Sequence, residues 1–206
     1  KIGLITSVEN KRIYTQGEIT SHVVGYTNID GIGQGGIEKG LESKLAKGKD
    51  IYLSIDVRLQ ESIRHELIKT IKKYSAHSGL SIVLDIESGE ILSMNSYPEF
   101  DPNNNKTFGS DNLFNKAIQG NYEMGSTFKP ITAAMGIEEK VINPDMLFDV
   151  SKPIKFGRYT IKDFHPHEGK FDLKEIIVNS SNIGVAKIAN KIGKKAQQEF
   201  FKKLGF

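Results

Sequence analysis

A long amphipathic helix followed at once by a β-hairpin is what most narrows the folds open to this chain. Leu59, Ile63, Leu67, Ile71 and Tyr74 recur at the spacing of one helix face, over about five turns. Asp56 stands where an N-cap belongs, since a short acidic side chain can accept hydrogen bonds from the first unpaired amides. Before it, Ile51-Tyr52-Leu53-Ser54-Ile55 reads as a strand. After it, residues 80–86 and 90–95 are β-rich runs joined by Glu87-Ser88-Gly89, a hairpin signal. Further helices are expected over 131–139, 173–178, 183–192 and 196–204, with an Asn-rich loop over 101–107. Helices and strands so segregated predict an α+β fold, an antiparallel sheet with helices, rather than alternating βαβ units. No internal repeat is visible.

The chain reads in two parts. Residues 1–48 carry short apolar runs, Ile2-Leu4-Ile5 and His22-Val23-Val24-Gly25-Tyr26, broken by glycines, and are expected to form strands and loops with little core of their own. Residues 49–206 hold the denser pattern. Lysine and arginine number 28 against 25 acidic residues, a net charge of +3. With no dense basic cluster, nucleic acid is not an expected partner; Lys194-Lys195 and Lys202-Lys203 read as solvated helix faces. The absence of cysteine excludes disulfides and thiolate metal sites and is compatible with an oxidising compartment.

The chemistry concentrates in Gly125-Ser126-Thr127-Phe128-Lys129-Pro130. A serine and a lysine three apart at a helix start share one face, so the amine can reach the hydroxyl and take its proton if it is neutral. That requires a depressed lysine pKa, hence an enclosed amine. Ser180-Ser181-Asn182 follows between two apolar helical segments, in a short turn that would aim Ser180 and Asn182 the same way. A hydroxyl can pass a proton to a leaving amine, and an amide can hold a peptide-like substrate. Taken alone, each string has a plainer reading: Ser-x-x-Lys recurs by chance, and Ser-Ser-Asn suits a helix cap.

Together with their flanks, the two motifs resemble the penicillin-binding proteins, in which Ser-x-x-Lys accompanies Ser-Asp-Asn and Lys-Thr-Gly. The resemblance extends through Gly36-Ile37-Glu38, Leu53 to Gln60, Leu84 to Met94, Tyr97 to Asn103 and Tyr122 to Pro130, covering about residues 11–206 in family order. It points to class B. Asn182, where elongation enzymes tend to carry an acid, and the stretch from Gly157 to Asp163 resemble the cell-division (FtsI) kind. The implied fold is part of a serine transpeptidase/β-lactamase-like domain over 49–206, preceded by the end of a non-catalytic pedestal over 1–48.

The resemblance further implies a peptidoglycan D,D-transpeptidase of septal wall synthesis, with stem peptides as substrates and β-lactams as acylating mimics. Ser126 is the implied nucleophile and Lys129 the base. Ser180 would relay the proton, and Asn182 would hold the donor peptide and steady Lys129. No cofactor or metal is implied. Other division and cell-wall synthesis proteins are implied as partners, with a membrane anchor in the full-length protein and the catalytic domain in the periplasm of an inner-membrane enzyme. Lys-Thr-Gly is absent and the segment over 45–51 is short. The chain begins at Lys1, and no run approaches the roughly 20 apolar residues of a span. It is therefore expected to be an excised piece that stops before the Lys-Thr-Gly strand and is impaired alone. A serine β-lactamase and a catalytically inactive division scaffold are the alternatives.

Three features are discounted. Gly31-Ile32-Gly33-Gln34-Gly35-Gly36 matches a dinucleotide fingerprint, but no buried strand abuts it, and a flexible turn is expected. His165-Pro166-His167 with Glu168 lacks helical ligand spacing and reads as a surface loop. Met124, Met135 and Phe128 read as core packing.

Overall fold

Helix α4, Val57–Tyr74, dominates the first of two compact units, Lys1–Asn121 and Tyr122–Phe206, in a computed structural model that describes Gly3, Val8 and residues 11–206. Asp56 caps the helix as expected: its carboxylate accepts from the amides of Arg58 at 2.9 Å and Leu59 at 3.3 Å. Bonding to the Arg58 guanidinium, with those amides, lowers the Asp56 pKa to about 2. Ser75, in left-handed conformation, ends the helix. Ile71 faces inward, but Tyr74, on that terminal turn, is exposed and falls outside the predicted buried face.

The helix packs against the hairpin of β1, Gly79–Leu84, and β2, Ile91–Tyr97, which pair antiparallel with a bulge at Val83/Leu84. Gln60 joins the two layers. Its amide nitrogen donates to the carbonyls of Ile19 (2.9 Å) and Met94 (2.8 Å), and its oxygen accepts from Ser93 Oγ (3.0 Å) and Met94 N (2.8 Å). A buried carboxamide with all four bonds filled costs little and fixes register.

Two expectations fail in this unit. The 51–55 segment forms no ladder; Ser54 Oγ and the Asp56 amide reach the carbonyls of Ile91 and Leu92, tying it to β2 by isolated bonds. The described part of the 1–48 segment is helical turns, not strands: a 3-10 turn over Gly17–Thr20, then α1, Ser21–Val24, α2, Gly36–Gly40, and α3, Glu42–Leu45, with one isolated bridge, Thr27↔Gly33. The expected Ile2-Leu4-Ile5 run lies outside the described residues. Close approach explains both the turns and the glycine run: a Cβ on Gly25 would stand 1.9 Å from the Gly35 carbonyl oxygen. Within the 31–36 run, Gly33 and Gly36 likewise lie against the Glu38 and Val23 carbonyls, so this part is packed backbone on backbone rather than a loose turn, while Gly31 faces open space. Residues 101–107 end in a 3-10 turn, Asn105–Thr107, before α5, Ser110–Leu113.

The second unit is helical around one core. Its elements are α6, Lys129–Glu138, α7, Leu173–Val178, α8, Asn182–Ile192, and α9, Lys194–Lys203. Between α6 and α7 lie β3, Phe148–Asp149, the hairpin of β4, Ile154–Phe156, and β5, Tyr159–Ile161, and then β6, Lys170–Phe171, which pairs with β3. Ala133, Met135, Ile142, Phe148, Ile176 and Ile188 form the core where α6, α7 and α8 meet. Gly184 lets α8 approach α7, since a Cβ there would lie 2.6 Å from Ile176 Cγ1. Of the residues read as core packing, Met135 is buried and Phe128 stacks near Phe201 and Phe206, but Met124 is half exposed. Met124 contributes its carbonyl instead, which accepts from Thr127. The architecture is α+β with antiparallel pairing throughout the described residues.

Candidate active site

Ser126 lies in a 3-10 turn, Gly125–Phe128, that runs directly into α6. Thr127 closes the turn by donating its amide (3.2 Å) and hydroxyl (2.6 Å) to the Met124 carbonyl. Pro130 occupies the first turn of α6, where a missing amide forfeits no bond. Lys129 thus begins the helix one turn after Ser126, as the spacing predicts.

Ser180 arrives from the end of α7. The amides of Ser180 and Ser181 donate back to Ile177 O (3.1 Å) and Ile176 O (2.9 Å), a left-handed helix stop of the kind glycine usually fills. Ser180 holds that conformation with φ 52° despite its Cβ. The turn delivers its hydroxyl between the two motif-one side chains: Lys129 Nζ to Ser180 Oγ is 2.8 Å, and Ser180 Oγ to Ser126 Oγ is 3.2 Å. Lys129 also donates to the Ser180 carbonyl.

This differs from a direct Ser126–Lys129 pair. The connection runs through Ser180, because the Ser180 hydroxyl and carbonyl both stand within reach of the amine. Lys129 is half-buried rather than fully enclosed. Partial withdrawal from water lowers its pKa from the ordinary 10.5, while the Asp163 carboxylate acts in the opposite direction.

Asn182, the first residue of α8, donates its side-chain nitrogen to the Lys162 carbonyl at 2.9 Å, just beyond β5. Ser180, not Asn182, therefore steadies the lysine amine. Ser126, Lys129 and Asn182 line a cleft of about 430 Å³ with Phe128, Thr132, Ile161 and Val185. The β4–β5 hairpin lies beside the cleft, and Ile161 of β5 forms one wall. All four residues singled out from sequence are thus gathered in one unit.

Asp163 was not among them. Its carboxylate, buried, accepts from Ser181 Oγ (2.8 Å) and from the Ile183 amide (3.0 Å). The nearest sequence hint is an acid shortly after a small hairpin; its partners lie 18 and 20 positions away.

The chain is similar to known proteins. The penicillin binding protein transpeptidase domain matches residues 79–206. The "Probable peptidoglycan D,D-transpeptidase FtsI" of Caulobacter vibrioides is 34% identical over 98% of this chain and 35% of its own length. The "Peptidoglycan D,D-transpeptidase FtsI" of Escherichia coli is 28% identical over 98% of this chain and 39% of its own. The crystal structure of penicillin binding protein 3 from Mycobacterium tuberculosis, complexed with aztreonam, superposes with a TM-score of 0.85 at 26% identity, covering 96% of this chain and 47% of that one. The chain spans little more than a third of the length of these curated relatives. With the serine–serine–lysine array in one unit and the family domain matched across it, the chain belongs to the penicillin-binding protein transpeptidases, on the FtsI-type branch of class B.

Proposed function

We propose that this chain carries the acylating centre of a serine-type peptidoglycan D,D-transpeptidase that crosslinks stem peptides during septal wall synthesis. One observation carries the reading: the line Ser126 Oγ, Ser180 Oγ, Lys129 Nζ, with steps of 3.2 and 2.8 Å. Both steps are hydrogen-bond distances, so a proton can leave the nucleophile and reach the amine without side-chain movement.

In this reading Ser126 Oγ attacks the carbonyl carbon of the penultimate D-alanine. Its proton passes to Ser180 Oγ as the Ser180 proton passes to a neutral Lys129. The tetrahedral intermediate collapses, the C–N bond breaks, and the same relay returns a proton to the departing D-alanine amine. The amine of a neighbouring stem peptide then attacks the Ser126 ester, gives up a proton to the relay, and leaves the crosslink and a free serine. The Ser126 amide is suited to be one oxyanion donor, a contribution of about 3 kcal/mol where such donors have been removed elsewhere. Asn182, in the cleft wall, is suited to meet the donor peptide through its side-chain oxygen.

The same reading makes β-lactams acylating mimics, and gives residues 1–48 to a pedestal and 49–206 to the transpeptidase domain. It places the site in the periplasm of a membrane-anchored protein with division and wall-synthesis partners. Among the described residues no helix is long and apolar enough to cross a membrane. Intact-mass spectrometry of the full-length protein after penicillin treatment tests the reading. A single adduct on the Ser126 peptide, absent from Ser126→Ala, is expected; an adduct that persists in Ser126→Ala overturns it.

A further inference from the structure

We propose that Asp163 is a positioning residue of this site, whose buried carboxylate locks the Ser180–Asn182 turn to the end of β5 and so sets where Ser180 stands between Ser126 and Lys129. The inference rests on the transpeptidase reading above and goes beyond it to a residue outside both motifs.

Two consecutive residues hold three. Asp163 Oδ2 accepts from Ser181 Oγ at 2.8 Å, Asp163 Oδ1 from the Ile183 amide at 3.0 Å, and the Lys162 carbonyl from Asn182 Nδ2 at 2.9 Å. Ser181 is wholly buried and its hydroxyl also accepts from the Gly184 amide at 2.9 Å, capping α8. The carboxylate takes the neighbouring first-turn amide, that of Ile183, so the two side chains complete the helix end together. Asp163 thereby adds a second anchor from another element.

A carboxylate with 7% exposure and no ion pair among the described residues is expensive to keep unless its hydrogen bonds and the positive end of a helix compensate. Here both do. What the arrangement supplies is rigidity one residue from Ser180, whose left-handed backbone has no glycine to relax it. If Ser181 and Ile183 are free to shift, Ser180 loses one of the two sides that hold it. Its hydroxyl must meet two partners at once, and a displacement of about 1 Å at such a group can cost about a hundredfold in rate.

The carboxylate is also the charged group that acts on Lys129, favouring its protonated form against the effect of burial. Losing the charge while keeping the shape should therefore ease deprotonation of Lys129. Position and charge give separable signatures.

The test measures second-order acylation by a fluorescent penicillin from about pH 5 to about pH 10.5, up to the ordinary lysine value, in the full-length protein, with thermal unfolding alongside. Asp163→Ala is expected to fold and to acylate about a hundredfold more slowly. Asp163→Asn is expected to retain more of the rate and to move the acid limb of the profile to lower pH. Acylation of a folded Asp163→Ala within about twofold of wild type overturns the proposal. Should Asp163→Ala not fold, Asp163→Asn decides, and an unmoved limb with an unchanged rate overturns it. Ser126→Ala in the same series separates the two ideas: its failure to label upholds the transpeptidase reading whatever Asp163 does.

Discussion

The Ser180 hydroxyl stands 3.2 Å from the Ser126 hydroxyl, making the second-motif serine the immediate hydrogen-bonding neighbour of the proposed nucleophile. Lys129 touches the array from the far side of Ser180, at 2.8 Å. The donor direction, from Lys129 towards Ser126, suits a protonated lysine; with a neutral amine the hydroxyl protons point the other way.

Ser180→Gly should therefore separate stability from activity. Glycine takes a φ of 52° without the Cβ penalty, so folding should gain on the order of 1 kcal/mol. The relay hydroxyl is lost, and acylation should fall about 100-fold or more. Urea unfolding and penicillin acylation on the same preparation check both halves. A variant that is stabilised yet acylates normally would remove Ser180 from the chemistry.

Lys129 makes a pH prediction with a definite sign. Its folded pKa lies below 10.5, because burial disfavours the ammonium. The neutral base grows as pH rises through that lowered pKa, so acylation should climb with pH and level off before an ordinary lysine would titrate. Lys129→Arg keeps the charge but cannot surrender the proton, and should acylate slowly with the limb abolished. Rates measured from neutral to alkaline pH in both proteins test this; a persistent limb in the arginine variant would assign the base elsewhere.

Much of this was legible from the chain, for physical reasons that differ by region. The α4 face and the β1–β2 hairpin are local patterns: apolar spacing, a capping aspartate, and a turn whose Asp85 side chain accepts from the Glu87 and Ser88 amides. The nucleophile and lysine are likewise local, one helical turn apart. Residues 11–48 fold as helical turns that no local pattern predicts. Their shape depends on Gly25 meeting Gly35 backbone, a contact no periodicity encodes. Asp163 was missed for the same reason, since its partners are reached only after α7 has folded back.

In the first unit, Gln60→Leu should cost about 3 kcal/mol. Leucine fills a similar volume but leaves the Met94 amide, the Ser93 hydroxyl and two carbonyls without the four bonds that Gln60 provides, and each stranded group costs about 1 to 3 kcal/mol before relaxation. Gln60→Glu keeps the acceptor oxygen but sets a buried, unpaired carboxylate oxygen against the Ile19 and Met94 carbonyls, so above neutral pH it should cost at least as much as Gln60→Leu. Equilibrium urea unfolding gives the comparison. A loss below about 0.5 kcal/mol in Gln60→Leu would mean that the amide is incidental to the α4–β2 register.

Gly184→Ala links packing to the site. The added methyl would lie 2.6 Å from Ile176 Cγ1, with the Ile176 Cδ1 and Cγ2 atoms at 2.8 and 3.0 Å, so α8 must move away from α7 or Ile176 must leave its place in the core. Overpacking of this kind costs about 1 to 3 kcal/mol. Because Gly184 also donates its amide to Ser181 Oγ, displacement of α8 pulls on the turn that carries Ser180 and Asn182. The variant should therefore lose both stability and acylation rate. Ile176→Val removes Cδ1, so the double variant should recover part of each, although the branched Cγ atoms remain close. Recovery of stability without recovery of rate would show that the α7–α8 contact supports the core but does not hold the site, and independent losses in the double variant would place the strain elsewhere.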